Sequence, residues 1–184
     1  IRAMDGVLDV QDSTISNNGD YGIYYSISSA ATPTIKDNAF ENNSVYAVYF
    51  SFNEINLDAN QVSGNSATGN GTNGIYMTGT LLGNSTLGQG GIPYILVEDD
   101  TQLRSLYVPA GSTLTINPGA TFKMTGFGYY DYRGTGLQIA GELYANGTED
   151  APIIFTSIHD DEVVGDTNNN GTATGPTKGD WLSN

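Results

Sequence analysis

The sequence contains no cysteine, which excludes a disulfide framework and thiolate chemistry. Basic residues are scarce: six Lys and Arg stand against 20 Asp and Glu, a formal net charge of −14. A surface of that sign repels phosphate, so nucleic acid is not an expected partner, and cations are the natural counter-charge. No apolar run approaches the ~20 residues that a membrane-spanning helix needs. There is no initiator methionine and no signal-peptide pattern over 1–10, so the chain reads as a segment of something longer. What is abundant is glycine, 24 residues of it, with many Asn, Thr and Ser. That mixture opposes helix and favours short strands joined by tight turns.

Internal repetition organises the first half. "LDVQDSTISNNGDYGIYY" (Leu8–Tyr25) lies over "TIKDNAFENNSVYAVYF" (Thr34–Phe50) with a constant displacement of 25, which places Val10, Ile15, Asn18, Ile23 and Tyr24 on Ile35, Phe40, Asn43, Val48 and Tyr49. A third copy is read in "INLDANQVSGNS", where Leu57, Val62 and Asn65 follow at a further 22, and "NGIYM" follows an insertion, "ATGNGT". Apolar residues alternate within each short strand, so each coil can bury one face only by stacking on the next. Asn18, Asn43 and Asn65 are expected to stack as an interior ladder, because a carboxamide both donates and accepts between coils. The alternative is that they are surface turn asparagines tolerating left-handed φ. Tyr24, Tyr49 and Tyr76 are expected to stack as a stripe on one sheet.

The second half carries a different repeat. "LYVPAGSTLTINPGATFKM" (Leu106–Met124) lies over "LQIAGELYANGTEDAPIIF" (Leu137–Phe155), with Leu106 on Leu137, Leu114 on Leu143 and Phe122 on Phe155. The chain therefore divides into Asn/Tyr-type coils over 1–78, an irregular loop over 79–91, and Gly-cornered coils over 92–184, all in one solenoid.

The "NNGxxGIY"-type coils, with "LTINPGATFKM" and "GDTNNNGTATGPTKGDW", resemble the right-handed parallel β-helix repeats of pectate-lyase-like proteins, and in particular large secreted or surface β-helix proteins of bacteria and archaea. The resemblance implies an all-β right-handed parallel β-helix, about seven rungs spaced by ~4.8 Å, and an extracellular or cell-surface setting. It says little about activity, since this fold hosts lyases, hydrolases, adhesins and inert stalks alike. Neither end reads as a polar cap. Joined tail to head, "GDWLSN" and "IRAMDGVLDV" make a continuous coil, so neighbouring copies or adjacent repeats are the expected partners; an arbitrary segment boundary is the alternative.

Asp166, Asn168, Asn170 and Gly171 match the opening of a calcium loop, D-x-[DN]-x-[DN]-G, with the Thr172 carbonyl at the next alternate position. The customary bidentate Glu is missing, and Asp160, Asp161, Glu162 and Asp180 are candidates to supply its charge from neighbouring turns. Calcium is thus the one expected cofactor, against a plain Gly/Asn turn.

Signs of catalysis are few. His159 sits beside Asp160 and Asp161, a pairing that could make a general base but is more commonly a turn histidine among solvated acids. No activated nucleophile motif is present, and Arg2, Arg104 and Arg133 are scattered. "GFGYYDYRG", with Tyr129, Tyr130, Tyr132 and Arg133, is the best candidate recognition loop for a glycan or a protein, against a loop packed along the flank. Asn42, Asn70, Asn84, Asn146 and Asn170 open N-x-[ST] sequons and are glycosylation candidates if the source glycosylates. The expected function is non-catalytic: a structural segment of a surface stalk, adhesin or filament, stacking end to end. The alternative is a carbohydrate-binding or carbohydrate-processing β-helix.

Overall fold

A computed structural model describes residues 1–28, 31–96, 106–125 and 136–180. All regular elements among them are strands. The first coil carries β1 (Arg2–Met4), β2 (Asp9–Gln11) and β3 (Thr14–Ser16). The second carries β4 (Ile23–Ile27), β5 (Thr34–Lys36) and β6 (Ala39–Glu41), and the third β7 (Tyr46–Ile55), β8 (Val62–Ser63) and β9 (Ser66–Thr68). Next come β10 (Thr72–Leu81), β11 (Asn84–Leu87) and β12 (Tyr94–Leu96). β13 (Leu106–Val108), β14 (Thr113–Ile116) and β15 (Thr121–Met124) follow, then β16 (Leu137–Ile139), β17 (Glu142–Ala145) and β18 (Ile154–Ser157).

Every pairing is parallel and joins one coil to the next, so the architecture is a parallel β-solenoid. The large sheet runs β1-β4-β7-β10-β12-β15-β18, and three side sheets are β2-β5-β8, β3-β6-β9 and β11-β14-β17. The stack amounts to about four turns, fewer than the seven expected.

The register follows the alternation. Ile23, Val48, Ile75, Tyr94, Phe122 and Phe155 form one column of the large sheet. All but the last are buried, and Phe155 in the terminal coil is 36% exposed. Tyr25, Phe50 and Met77 form the next inward column, fully buried. In a coil this small each inward side chain packs against its own replicas above and below, which is why columns of like size recur.

At β10 the coil changes shape. One extra residue on β7 shifts the register between Gly79 and Thr80. Beyond that point β12 continues the first part of the long strand and β13 the second. Gly79, at φ +143°, passes directly against the Phe52 carbonyl, where no side chain fits. The segment 79–91, expected as an irregular loop, in fact contains the end of β10 and all of β11. Its Ser/Thr content hid a strand whose alternate residues, Ser85 and Leu87, point inward.

The third copy also differs from the sequence alignment. Val62 pairs with Ile35 and Ala67 with Phe40, so the displacement is 27 rather than 22. The cause is a hidden repetition of five residues. "DVQDS" and "TISNN", "TIKDN" and "AFENN", "QVSGN" and "SATGN" are successive pentads with one pattern, x-apolar-x-turn-Asn or Ser. The turn residues Asp12, Asn17, Asp37, Asn42, Gly64 and Gly69 all take φ between +49° and +66°. A slip by one pentad preserves the pattern, so the third copy aligns just as well to the wrong corner. The "insertion" at ATGNGT is itself a corner of the coil; the added length lies in β7 and the turn after it.

Gly79→Ala is predicted to cost about 2–4 kcal/mol, because both φ and the Phe52 contact forbid a Cβ. Gly175→Ala, in open space, should stay within about 0.5 kcal/mol of the parent in urea unfolding.

Candidate functional site

Two corners of each early coil turn a backbone inward with nothing on the opposite side to pair with it, and asparagine solves this twice. After β3, the backbone N–H and Nδ2 of Asn18 both donate to Asn43 Oδ1 (3.2 and 2.6 Å). Asn43 donates in the same way to Asn70 Oδ1 (3.0 and 2.7 Å), and Asn70 to Asn73 Oδ1 (3.0 and 2.9 Å). Each amide also reaches the coil before it, Asn43 to the Ile15 carbonyl and Asn70 to that of Phe40. After β2 a second ladder runs in parallel: the Ser13 N–H donates to Asn38 Oδ1, and Asn38 donates twice to Asn65 Oδ1. Asn65 is therefore not above Asn43, as expected, but one pentad away in the second ladder. Asn38, Asn43, Asn65 and Asn70 are all at most 2% exposed. A glycan on Asn70 is excluded by this burial, and its sequon is a by-product of the ladder. The other sequon asparagines, Asn42, Asn84, Asn146 and Asn170, are exposed.

The tyrosines form a second ladder outside the large sheet. Tyr24 and Tyr49 stack at 4.8 Å and 2°, Tyr49 and Tyr76 at 4.6 Å and 7°. Tyr21 and Tyr46 stack beside them at 6.1 Å and 12°. The Arg2 guanidinium lies 4.8 Å over the Tyr24 ring, and Ile95 is the strand neighbour of Tyr76. With ring faces against one another and the outermost face under a cation, this stripe stabilises the sheet and leaves edges, not faces, for a sugar. The other aromatic candidates, Tyr129, Tyr130, Tyr132 and Arg133, lie outside the described residues.

The most constructed feature is the loop from Ile158 to Gly171. Lys123, on β15, points outward beneath it and is fully buried. Its Nζ donates to the carbonyls of Asp160 (2.7 Å) and Gly165 (3.0 Å) and to Thr167 Oγ1 (2.7 Å). Burial lowers the Lys123 pKa, opposed by the charges of Asp160, Asp161 and Asp166. From there the loop reaches the end of the first ladder: Asn73 donates through its N–H to the Thr167 carbonyl (2.7 Å) and through Nδ2 to that of Asp166 (2.8 Å). The loop thus covers the outward faces of β12 and β15, which explains why these strands are buried on both sides.

The expected metal-loop residues have distinct roles here. Asp166 receives the N–H groups of Asn170 (3.1 Å) and Gly171 (2.7 Å), one on each carboxylate oxygen. Asp160 is held by Thr156 (2.6 Å) and the Glu162 N–H (3.2 Å). Asn170 donates to Thr174, and Thr172 is exposed. Asn168 Nδ2 meets His159 Nδ1 at 3.0 Å. Both carboxylate oxygens of Asp161, and Asn168 Oδ1, are sealed from solvent without a hydrogen-bond partner. Among the described residues no three His, Cys, Asp or Glu side chains converge as a metal cluster.

The His159 ring meets Asn168 Nδ2 (3.0 Å) and Thr174 Oγ1 (3.1 Å) through Nδ1. Its backbone N–H donates to Ser157 Oγ (3.1 Å), and Ser157 is only 3% exposed. Asp180 instead closes a turn, its carboxylate accepting the Thr177 N–H (2.8 Å) and the Thr177 hydroxyl. Hydrogen bonds from Thr177 and Ser157 push its pKa down to about 2.

Residues 6–87 match the family model described as a right handed beta helix region. The match covers less than half of the chain; with the parallel stacking above, it is consistent with a right-handed β-helix repeat protein. Neither a curated protein nor a solved structure matches the chain.

Two outcomes check this account. Asn43→Ala removes the acceptor for two half-buried donors of Asn18 and the donor that Asn70 Oδ1 receives, and should cost about 1–3 kcal/mol, whereas exposed Asn146→Ala should be neutral in thermal unfolding. Because the folded pKa of Asp180 is depressed, its contribution is present above the unfolded value and is lost as pH falls through about 2. Carboxyl titration by NMR should show that midpoint, and Thr177→Ala should raise it.

Proposed function

We propose that this chain is a non-catalytic structural segment of an extracellular or cell-surface β-helix rod, stacking head to tail on further copies of itself. The carrying observation is the state of its two end faces. β1, β2 and β3 each pair with a single neighbour, as do β16, β17 and β18. Among the described residues the outer edges of β1–β3 and of β16–β18 pair with no further strand, so a neighbouring repeat or copy can continue the ladder there. Both ends are also apolar: Met4 and Val7 are 59% and 79% exposed at one, and Leu143 and Tyr144 are 40% and 50% exposed at the other. Because all strands run parallel, the two edges differ and complement each other. A contact between them is heterologous and does not close, which generates a filament rather than a dimer.

The mechanical role follows from the same geometry. Load along the rod is borne by backbone pairing between coils, supplemented at the corners by the asparagine ladders. The extracellular setting rests on the likeness to secreted and surface β-helix proteins.

Sedimentation velocity should show association that grows with protein concentration, and the Leu143→Lys, Phe155→Lys double variant should remain monomeric with unchanged circular dichroism. A parent chain that is monomeric at every concentration would sink the proposal, as would a variant that associates equally well.

A further inference from the structure

We infer that the loop Ile158–Gly171 binds a calcium ion, with Asp161 as the anionic ligand and Asn168 Oδ1 and Asp166 as further oxygen donors. The starting point is a chemical imbalance. Both Asp161 carboxylate oxygens and the Asn168 amide oxygen are cut off from solvent and accept no hydrogen bond. An ionised carboxylate left that way is costly, and folded proteins relieve it with a cation, a water or a proton.

Several observations favour a cation. The loop carries Asp160, Asp161, Glu162 and Asp166, and the charges of three of them, Asp160, Asp161 and Asp166, act on one buried ammonium, Lys123, so negative charge is in excess there. Lys123 does not neutralise Asp161 by contact: its ammonium donates to two main-chain carbonyls and a hydroxyl, none of them a carboxylate. The Asn168 amide also contributes, in the tautomer where His159 Nδ1 accepts. With Nδ2 directed to His159 Nδ1 at 3.0 Å, the carbonyl end is the one turned to the sealed side. Asp166 is pre-oriented by the N–H groups of Asn170 and Gly171, which leave lone pairs on both oxygens for a metal.

The donor set selects the ion. All candidates are oxygens, which suits a hard cation. Magnesium retains several waters and demands a near-octahedral shell, whereas calcium accepts bidentate carboxylates and irregular oxygen cages. Donors already closed to solvent therefore fit calcium better. The position of the loop gives binding a structural consequence: the Asp166 and Thr167 carbonyls receive Asn73, the last member of the first asparagine ladder. An ion at Asp161 ties that ladder to the outer face of β15.

The test uses the whole chain, stripped of metal with chelating resin. Calorimetric titration with CaCl2 should show one site per chain, and 10 mM CaCl2 should raise Tm by about 5–10 °C; MgCl2 at the same concentration should do much less. Asp161→Asn and Asp166→Asn should each abolish the calcium response. In metal-free buffer Asp161→Asn should be at least as stable as the parent, because it removes an uncompensated charge, and this separates loss of binding from loss of folding. Absence of heat and of a Tm shift in the parent would overturn the inference. So would an equal response to magnesium, or a calcium response retained in Asp161→Asn. Sedimentation of the same samples reports end-to-end stacking separately, so the two proposals can fail independently.

Discussion

A peptide group in a strand of this solenoid finds its partner in the coil above or below. Every other property depends on that constraint. Along the strands it is met by backbone pairing, but at a corner the chain turns and the pairing would lapse. The interior carboxamides of Asn38, Asn43, Asn65 and Asn70 carry the same donor–acceptor sequence around the bend. Their side chains behave as an extra rung of backbone, which is why a residue usually confined to surfaces occupies an interior this small.

Much of this was legible in the residues because stacking forces like onto like. Ile23 over Val48 and Tyr24 over Tyr49 in the early coils, and Leu114 over Leu143 in the late ones, could be read from displacement alone. What could not be read has physical causes. Asn65 was assigned to the wrong corner because a pentad slip preserves every local preference. β11 was missed because a strand of Asn, Ser and Thr with one Leu carries little apolar signal. The role of Lys123 had no signal at all, since its partners lie 37–44 residues away and two of them are main-chain carbonyls.

The segment that reads as a metal loop is also a lateral cover. It crosses the outside of β12 and β15, meets a buried ammonium there and terminates one asparagine ladder through Asn73. A loop making contacts 93 residues back along the chain ties the late coils to the early ones. Otherwise each coil in a solenoid touches only its neighbours, and its stability is a sum of local terms. The loop makes this segment more cooperative than its topology alone provides.

The pentads have a last consequence, for folding rather than for stability. A growing coil can settle one pentad out of place and still find a left-handed turn over a left-handed turn and an amide over an amide. Such a misthreaded coil would satisfy its corners and leave its long strand displaced by five residues. The stacked tyrosines discriminate against it. Tyr24, Tyr49 and Tyr76 lie outside the pentads, so they superimpose in only one threading. The aromatic stripe on the outer face then acts as a vernier: the corners allow several settings, and the rings select one.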